Sequence, residues 1–354
     1  MKVKNKKYDI WLYPIIILLI VTLPLNCVEI TFLKRIELGS EDREEEIFFR
    51  IADIEADKNG NIFILDSGNY SLKKFSKEGK FLKEIGREGQ GPGEFIRPSN
   101  ICVDIDGKVY VNEIVGRRIS IFDNSLNFLK ILKPKLSSSI VDIFIDKEGG
   151  IIGLHNPWKA DENYFSILSS DGVRLNSFFN ERHVFAPKLT TLKNFPGTLV
   201  YLSAIADIDK RNSKLAISYR IPENPCRIYI LDLNGKILKV IKWKIKNYNS
   251  RKILNNFKRW RQIKKDFKYP QIIGIHFTKE DFLIIQIVEG YFKRGYDLKK
   301  DSFLYIFSPS GNIIKIMKFN GNILSIDHRN NVYVCVEDEQ GISKVIVYSL
   351  KIGG

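Results

Sequence analysis

The feature that most limits what this chain can fold into is an internal repeat. "IADIEADKNGNIFILDSGNYSLKKFSKEGKFL" (51–82) and "SNICVDIDGKVYVNEIVGRRISIFDNSLNFL" (99–129) share one plan. Asp57-x-x-Gly60 maps onto Asp104-x-x-Gly107 at an offset of 47, and Asp146-x-x-Gly149 follows at a further 42. Such a period marks units too small to bury a face alone, which must stack on their neighbours. Within one unit an apolar stretch (Ile51–Ala56) enters a turn whose Gly supplies the positive φ of a tight reversal. A β-branched stretch (Ile62–Leu65), a polar loop, a third stretch (Leu72–Phe75), a second Gly turn and a fourth stretch (Phe81–Ile85) complete it. Four short antiparallel strands in about 45 residues predict a propeller blade.

Later units are weaker but countable. The third-strand, turn and fourth-strand pattern recurs at Phe165–Ser177, Ile228–Ile241 and Phe303–Ile316, around Gly172, Gly235 and Gly311. Inner-strand patterns recur at Ile140–Ile145, Ile205–Ile208, Ile272–Phe277 and Ile323–Ile326. The last unit has three strands and lacks a fourth. The spare one, "ITFLKRIEL" (30–38), looks like the fourth strand of the first unit. The expectation is an all-β, six-bladed β-propeller over 29–354, with the N-terminal strand completing the sixth blade. Closure removes sheet edges that would otherwise pair with other chains. One insertion, about 248–269, carries Ile253, Leu254, Phe257, Trp260, Ile263 and Phe267 at helical spacing among basic residues, which predicts a basic amphipathic helix. Such a helix either docks on the propeller or touches an anionic lipid surface.

The first two units resemble NHL-type repeats, and "IGREGQGPGEFIRP" (85–98) is similar to the blade linker of bacterial six-bladed β-propeller proteins. The resemblance is strongest over about 51–130 and implies the same ring architecture. The linker glycines Gly89, Gly91 and Gly93 do not form a phosphate loop, because no Lys-Ser/Thr follows and no helix starts there.

Composition narrows the class. Hydrophobic residues make up 44% of the chain, too many for a disordered one, and four Cys are too few for a disulfide scaffold. Cys102, Cys226 and Cys335 read as buried free thiols. Lys and Arg (56) exceed Asp and Glu (41), giving +15. That excess is compositional, or it points to an anionic membrane surface or polymer. Nucleic acid ranks last, since the basic residues are dispersed.

At the N-terminus Lys2, Lys4, Lys6 and Lys7 precede an apolar run from Ile10 to Leu25. Residues 1–28 therefore read as a signal peptide or N-terminal membrane anchor, placing the propeller in the periplasm or cell envelope. Cys27 in "LPLNC" loosely resembles a lipobox and is a candidate lipidation site, although Asn26 stands where a small residue is expected.

Propellers bind at the channel mouth, and the repeat alignment names two rings of candidates. The inner ring is Asp53, Asn100, Asp142 and Asp207, followed by Gly274 and Ser325. Four oxygen side chains from consecutive blades suit Ca²⁺ or another divalent cation. The second ring, at the ends of the second strands, is Asp66, Glu113, His155, Tyr219 and Gln286, followed by Val336. His155 is its one histidine, too few for the histidine-based chemistry of NHL-like lyases, and Trp158 beside it could stack on a sugar or peptide. No H-E-x-x-H or G-x-S-x-G occurs. The leading expectation is a non-enzymatic module that binds a protein, peptide or glycan. The rival is a metal-dependent hydrolase or lyase, lactonase-like, at the channel mouth.

Overall fold

The structure is a computed structural model that describes residues 28–40, 42–155, 163–180, 204–220, 222, 224–245, 248, 268–291, 302–338 and 341–353. The N-terminal signal segment with Cys27, the helical pattern over 251–267 and Trp158 lie outside these residues. Lys268 and Tyr269, assigned above to the insertion, open a strand instead.

Strand β1 (Glu29–Leu38) comes first in the chain and last in the ring. Blade 1 is β2 (Ile51–Ala56), β3 (Ile62–Asp66), β4 (Ser71–Phe75) and β5 (Phe81–Ile85). Blade 2 is β6 (Pro98–Val103), β7 (Val109–Glu113), β8 (Arg118–Phe122) and β9 (Phe128–Leu132). Blade 3 is β10 (Ile140–Ile145), β11 (Ile151–His155), β12 (Phe165–Leu168) and β13 (Arg174–Phe178). Blade 4 is β14 (Ala204–Asp209), β15 (Lys214–Tyr219), β16 (Cys226–Asp232) and β17 (Ile237–Trp243). Blade 5 is β18 (Lys268–Phe277), β19 (Leu283–Tyr291), β20 (Ser302–Phe307) and β21 (Ile313–Phe319). Blade 6 is β22 (Asn322–Ile326), β23 (Asn331–Glu337) and β24 (Ser343–Gly353), with β1 antiparallel to β24 as its outer strand. The sheets are consecutive antiparallel meanders, so the chain is a six-bladed β-propeller. Among the described residues the helical content is one short 3₁₀ turn, Glu44–Glu46.

Second and third strands lie between neighbouring blades and are covered on both faces. Hence β3, β4, β7, β8 and β11 are buried along their whole length. Two repeated devices join one blade to the next. In blades 1, 4 and 5 the glycine of the outer turn sits on the outer strand of the preceding blade. Gly79 approaches Ile36 and Leu38, Gly235 approaches Phe178, and Gly311 approaches Ile241, each at positive φ. A lysine on the outer strand reaches the following blade's outer turn. Lys83 Nζ donates to Ser125 O at 2.7 Å, Lys130 to Ser170 O at 2.9 Å and Lys239 to Pro309 O at 3.0 Å. Part of the basic excess is thus structural.

The inner strands pack on one another around the axis, as β2 on β6 and β14 on β18. The neighbouring pair in weakest contact is β10 with β14. That junction is held further out by aromatic side chains, Phe179 edge-on to Tyr229 and Tyr164 edge-on to Tyr219. Cys102, Cys226 and Cys335 are buried free thiols.

Candidate functional site

The axial channel encloses about 180 Å³ and is lined by the six inner strands and the turns that follow them. The turn residues Asp209, Lys210, Arg211, Lys279, Asp327 and His328 form its open end. Drug-sized ligands need roughly 300–1,000 Å³. At about 30 Å³ per water, this lumen holds on the order of six waters.

Strand register sorts the lumen side chains into tiers. Ala56, Val103, Ile145, Phe277 and Ile326 each form the last pair before the turn, and Ile208, followed by the turn's Asp209 paired with Lys214, holds the equivalent place in blade 4. Counting back from them, Asp53, Asn100 and Asp142 share one tier with Ile205, Gly274 and Ile323. Asp207 and Ser325 do not belong to it. They lie one tier nearer the turn, with Glu55, Cys102, Phe144 and His276. The sequence "IADI" occurs at both 51–54 and 205–208, and matching these tetrapeptides shifted blade 4 by two residues. The distance to the turn Asp, four residues from Asp53 but two from Asp207, is the signal that resolves it.

The tiers bond blade to blade. Asp53 Oδ2 accepts the Ile101 N–H at 2.9 Å, and Asp207 Oδ2 accepts the Phe277 N–H at 2.9 Å. Asn100 Nδ2 donates to Asp142 Oδ1, and Cys102 Sγ to Ile143 O. His276 Nε2 donates to Ile323 O at 3.1 Å, which fixes its tautomer, since a carbonyl only accepts. From blade 4, Lys210 crosses the mouth and donates to Val103 O of blade 2 at 3.0 Å. Sequence reasoning missed Glu55, His276 and Lys210 as channel groups.

Enclosure dominates the electrostatics. Burial pushes Asp53 well above the usual carboxylate range, with Asp142 and Glu55 adding to it. Burial pushes Asp142 up to about 8 and Asp207 up to about 7, each helped by the Glu55 charge and opposed by backbone N–H groups. Glu55 is raised by burial, against the pull of Lys210. For Lys210 burial alone would lower the pKa, but Glu55, Cys102 and Asp207 outweigh it. His276 is lowered to about 4 by burial. Near neutral pH the lumen therefore carries protons on some of its carboxyls.

The second ring does not line this channel. Its residues sit at the opposite ends of the second strands and anchor backbone. Asp66 accepts the N–H groups of Phe49 at 2.8 Å and Arg50 at 2.9 Å. Glu113 accepts from Ile96 N–H, from Ser120 Oγ at 3.0 Å and from Arg118 Nε at 2.8 Å. Gln286 bonds Gly321 O at 2.7 Å and the Ile323 N–H at 2.9 Å. His155 Nδ1 meets Ser138 Oγ at 3.2 Å, and Tyr219 is buried against Tyr164. Asp66, Glu113 and His155 tie the linker before their own inner strand, and Gln286 ties the start of the next blade's, a task that needs a polar group wholly out of water.

The fit to a divalent cation fails on geometry. Among the described residues no three His, Cys, Asp or Glu side chains gather at ion-holding spacing. Asp53, Asn100 and Asp142 share a tier, but with partners already on several of their oxygens and nitrogens they form no compact oxygen cage.

At the second-strand end, blades 1 and 2 present matching loops. Asp66–Tyr70 and Glu113–Arg117 are equivalent, and Tyr70 and Arg117 both take left-handed φ, 52° and 46°. Phe49 is 69% exposed and Val115 57% exposed on this face. Arg50 and Arg117 are exposed close to them in sequence, and Arg97, in the place of Arg50 in blade 2, is exposed as well. Arg50 Nε is held by Ser67 Oγ at 3.0 Å.

The family DUF5128, described as a 6-bladed beta-propeller, matches residues 35–204. A solved protein of the duf4221 family from Bacteroides vulgatus is 11% identical, with a TM-score of 0.63 over 92% of this chain and 99% of that one. A Bacteroides fragilis protein described as exported is 14% identical, with a TM-score of 0.60 over 92% and 96%. An inactive variant of virginiamycin B lyase from Staphylococcus aureus, solved with quinupristin, is 13% identical, with a TM-score of 0.50 over 90% and 99%. Protein lin-41 of Caenorhabditis elegans is 47% identical over 45 residues, which span 13% of this chain and 4% of lin-41. These likenesses show the fold.

Proposed function

We propose that this six-bladed propeller is an exported binding module that engages a protein, peptide or glycan through the loop face of blades 1 and 2. One observation carries the reading. Phe49 offers 69% of its surface to solvent, while its backbone is pinned by Asp66 and packs against Gly68. A large aromatic held rigidly outward loses little entropy on binding, which is why such residues anchor interfaces. Val115 on the matching loop adds apolar area, and Arg50, Arg97 and Arg117 favour an acidic ligand. The basic and apolar N-terminal sequence supports export.

The alternative, metal-dependent hydrolysis or lysis at the channel mouth, draws less support. The lumen is small, and its polar groups are largely spent on joining blades. The test is capture from envelope extract on immobilised protein. Phe49→Ser with Val115→Ser should lower retention of the bound species by at least about 30-fold, from a hot-spot loss of about 2 kcal/mol. Leu175→Ser, on an outer strand, should leave it unchanged. Retention indifferent to the loop-face pair overturns the assignment. Turnover of a lactone or ester that disappears in Asp142→Asn replaces it with the hydrolase.

A further inference from the structure

Strand β1 fixes how the chain enters the ring. It pairs with β24 from Glu29↔Gly353 to Leu38↔Val345, but β23 joins that sheet only at Asn331↔Ser349. The pairs from Glu29 to Phe32 therefore overrun blade 6 as a two-stranded ribbon, about 13 Å long at roughly 3.2–3.4 Å per residue. The ribbon leaves the blade at its turn end, where Leu350 N–H donates to Asn330 O of the inner turn at 2.8 Å. Blade 5 holds it in place. Lys315 Nζ donates to Ile30 O at 3.4 Å, Phe32 lies 5.1 Å from Phe319, and Ile30 is buried. Val28 packs into the same cluster, so the root of the chain is rigid.

Little chain separates this root from the N-terminal apolar run. The run ends at Leu25, and only Asn26 and Cys27 precede the packed Val28. Three residue steps span at most roughly 11 Å. A bilayer attached through that run, or through a lipid on Cys27, thus lies at the turn end beside blade 6. The loop end with Phe49 and Val115 faces the other way, further out by about 17–20 Å, the length of a typical strand. Tyr248 and Lys268, the described flanks of the basic insertion, also belong to the loop end. Tyr248 Oη donates to Pro222 O at 2.7 Å, in the loop after β15, and Lys268 opens β18.

Charge does not choose this face. In blades 1, 5 and 6 each turn cation has an acidic residue in its own turn: Lys58 with Asp57, Lys77 with Glu78, Lys279 with Glu280 and Arg329 with Asp327. Placement comes instead from the shortness of the tether and the rigidity of its root.

We propose that the propeller is held turn end down on a membrane surface by its N-terminus, with the channel mouth toward the lipid and the loop face of blades 1 and 2 presented outward. This orientation rests on the export reading above, with the apolar run retained as an anchor or Cys27 carrying a lipid. It does not depend on what the loop face binds.

The test is lipid-directed cross-linking of the full chain, purified from membranes and reconstituted in vesicles of phosphatidylcholine and phosphatidylethanolamine. A short amine-to-amine cross-linker joins accessible lysines to the ethanolamine headgroups, and peptide mass spectrometry reads the lipid adducts. Lys58, Lys77 and Lys279 are exposed at the turn end, Lys133 and Lys135 at the loop end. Adducts on the first three, normalised to each lysine's acetylation in detergent, should exceed those on the other two at least about tenfold. The excess should persist at about 0.5 M salt, where surface charge is screened. Inserting about 20 Gly and Ser residues between Cys27 and Val28 adds roughly 25 Å of reach and should bring the two sets within about threefold of each other. Intact mass identifies the tether. An unprocessed chain, or one starting at a lipidated Cys27, supports the proposal, and a soluble chain that has lost the apolar run without gaining a lipid overturns it. An excess of adducts at the loop end, or an even distribution, also overturns it. So does a turn-end excess that salt abolishes or that the inserted linker leaves unaltered, since either assigns the contact to the turn face itself.

Discussion

Arg118→Met is the substitution from which the most can be learned. Arg118 is 4% exposed and Glu113 is fully buried, with Nε and Oε1 2.8 Å apart. The same guanidinium donates to Gln90 O and Glu94 O, each at 2.7 Å, and so pins the glycine-rich linker between blades 1 and 2. Methionine keeps most of the volume and removes every donor. What remains is a buried carboxylate with a hydroxyl and an amide N–H, beside two stranded carbonyls. Breaking one side of a buried pair costs about 3–5 kcal/mol. Unfolding entropy near 2.1 cal/mol/K per residue gives a propeller of this length roughly 0.7 kcal/mol/K, so about 4 kcal/mol lowers Tm by about 6 °C. Guanidinium unfolding and calorimetry read both quantities. Adding Glu113→Gln to Arg118→Met should restore at least about 1 kcal/mol, because the uncompensated charge is gone. A single-variant loss below about 1 kcal/mol, or strict additivity in the cycle, would refute the claim that this pair carries the blade 1–2 linker.

Other outcomes follow from the same geometry. The pKa of Asp142 lies near 8 in the fold, above the unfolded carboxylate value of about 3.9. Over that interval the native state keeps a proton the unfolded chain has lost, so the Asp142 contribution to stability falls as pH rises and is complete above about pH 8. His276, lowered to about 4, acts with the opposite sign below about pH 6.5, so the decline is read between pH 6.5 and 8 and should become shallower in Asp142→Asn, with Asp53 and Asp207, also raised by burial, supplying the rest. Gly235→Ala should cost at least about 1–2 kcal/mol in urea unfolding, since φ is +88° and a Cβ would lie 2.5 Å from Phe178 Cβ. Blade 3 has Asn176 where blades 1, 2 and 4 carry Lys83, Lys130 and Lys239. Asn176→Lys should raise Tm by about 1 °C through a new contact to the blade 4 turn, a gain of about 0.5–1 kcal/mol.

The sequence made the architecture legible because each turn must reverse tightly and each middle strand is buried twice. Both demands write Asp, Gly and β-branched residues at fixed spacing, as in Asp57–Gly60 and Ile62–Leu65. The site was less legible, because a polar residue in a repeat does not announce which way it faces. Glu113 and Gln286 looked like channel ligands, yet their oxygens hold backbone amides. Asp207 looked equivalent to Asp53 until strand register set it beside Glu55. Lys210 belongs to a turn, and only the closed ring brings it across the axis to Val103.

Blade 6 is made from both ends of the chain, and that sets a clock. Leu38 pairs with Val345, so the first strand made must wait for the last. At about 5–20 residues per second, roughly a quarter of a minute to a minute separates their synthesis. Joining ends about 300 residues apart also carries a loop-closure entropy of roughly 5 kcal/mol, from the logarithmic dependence on length. Five blades can stack before closure, but each nascent chain meanwhile carries an unpaired strand that fits β24 of any copy whose synthesis is complete. Slow translation or crowding on one messenger should therefore yield strand-exchanged dimers, in which the wrong copy's N-terminus completes the ring.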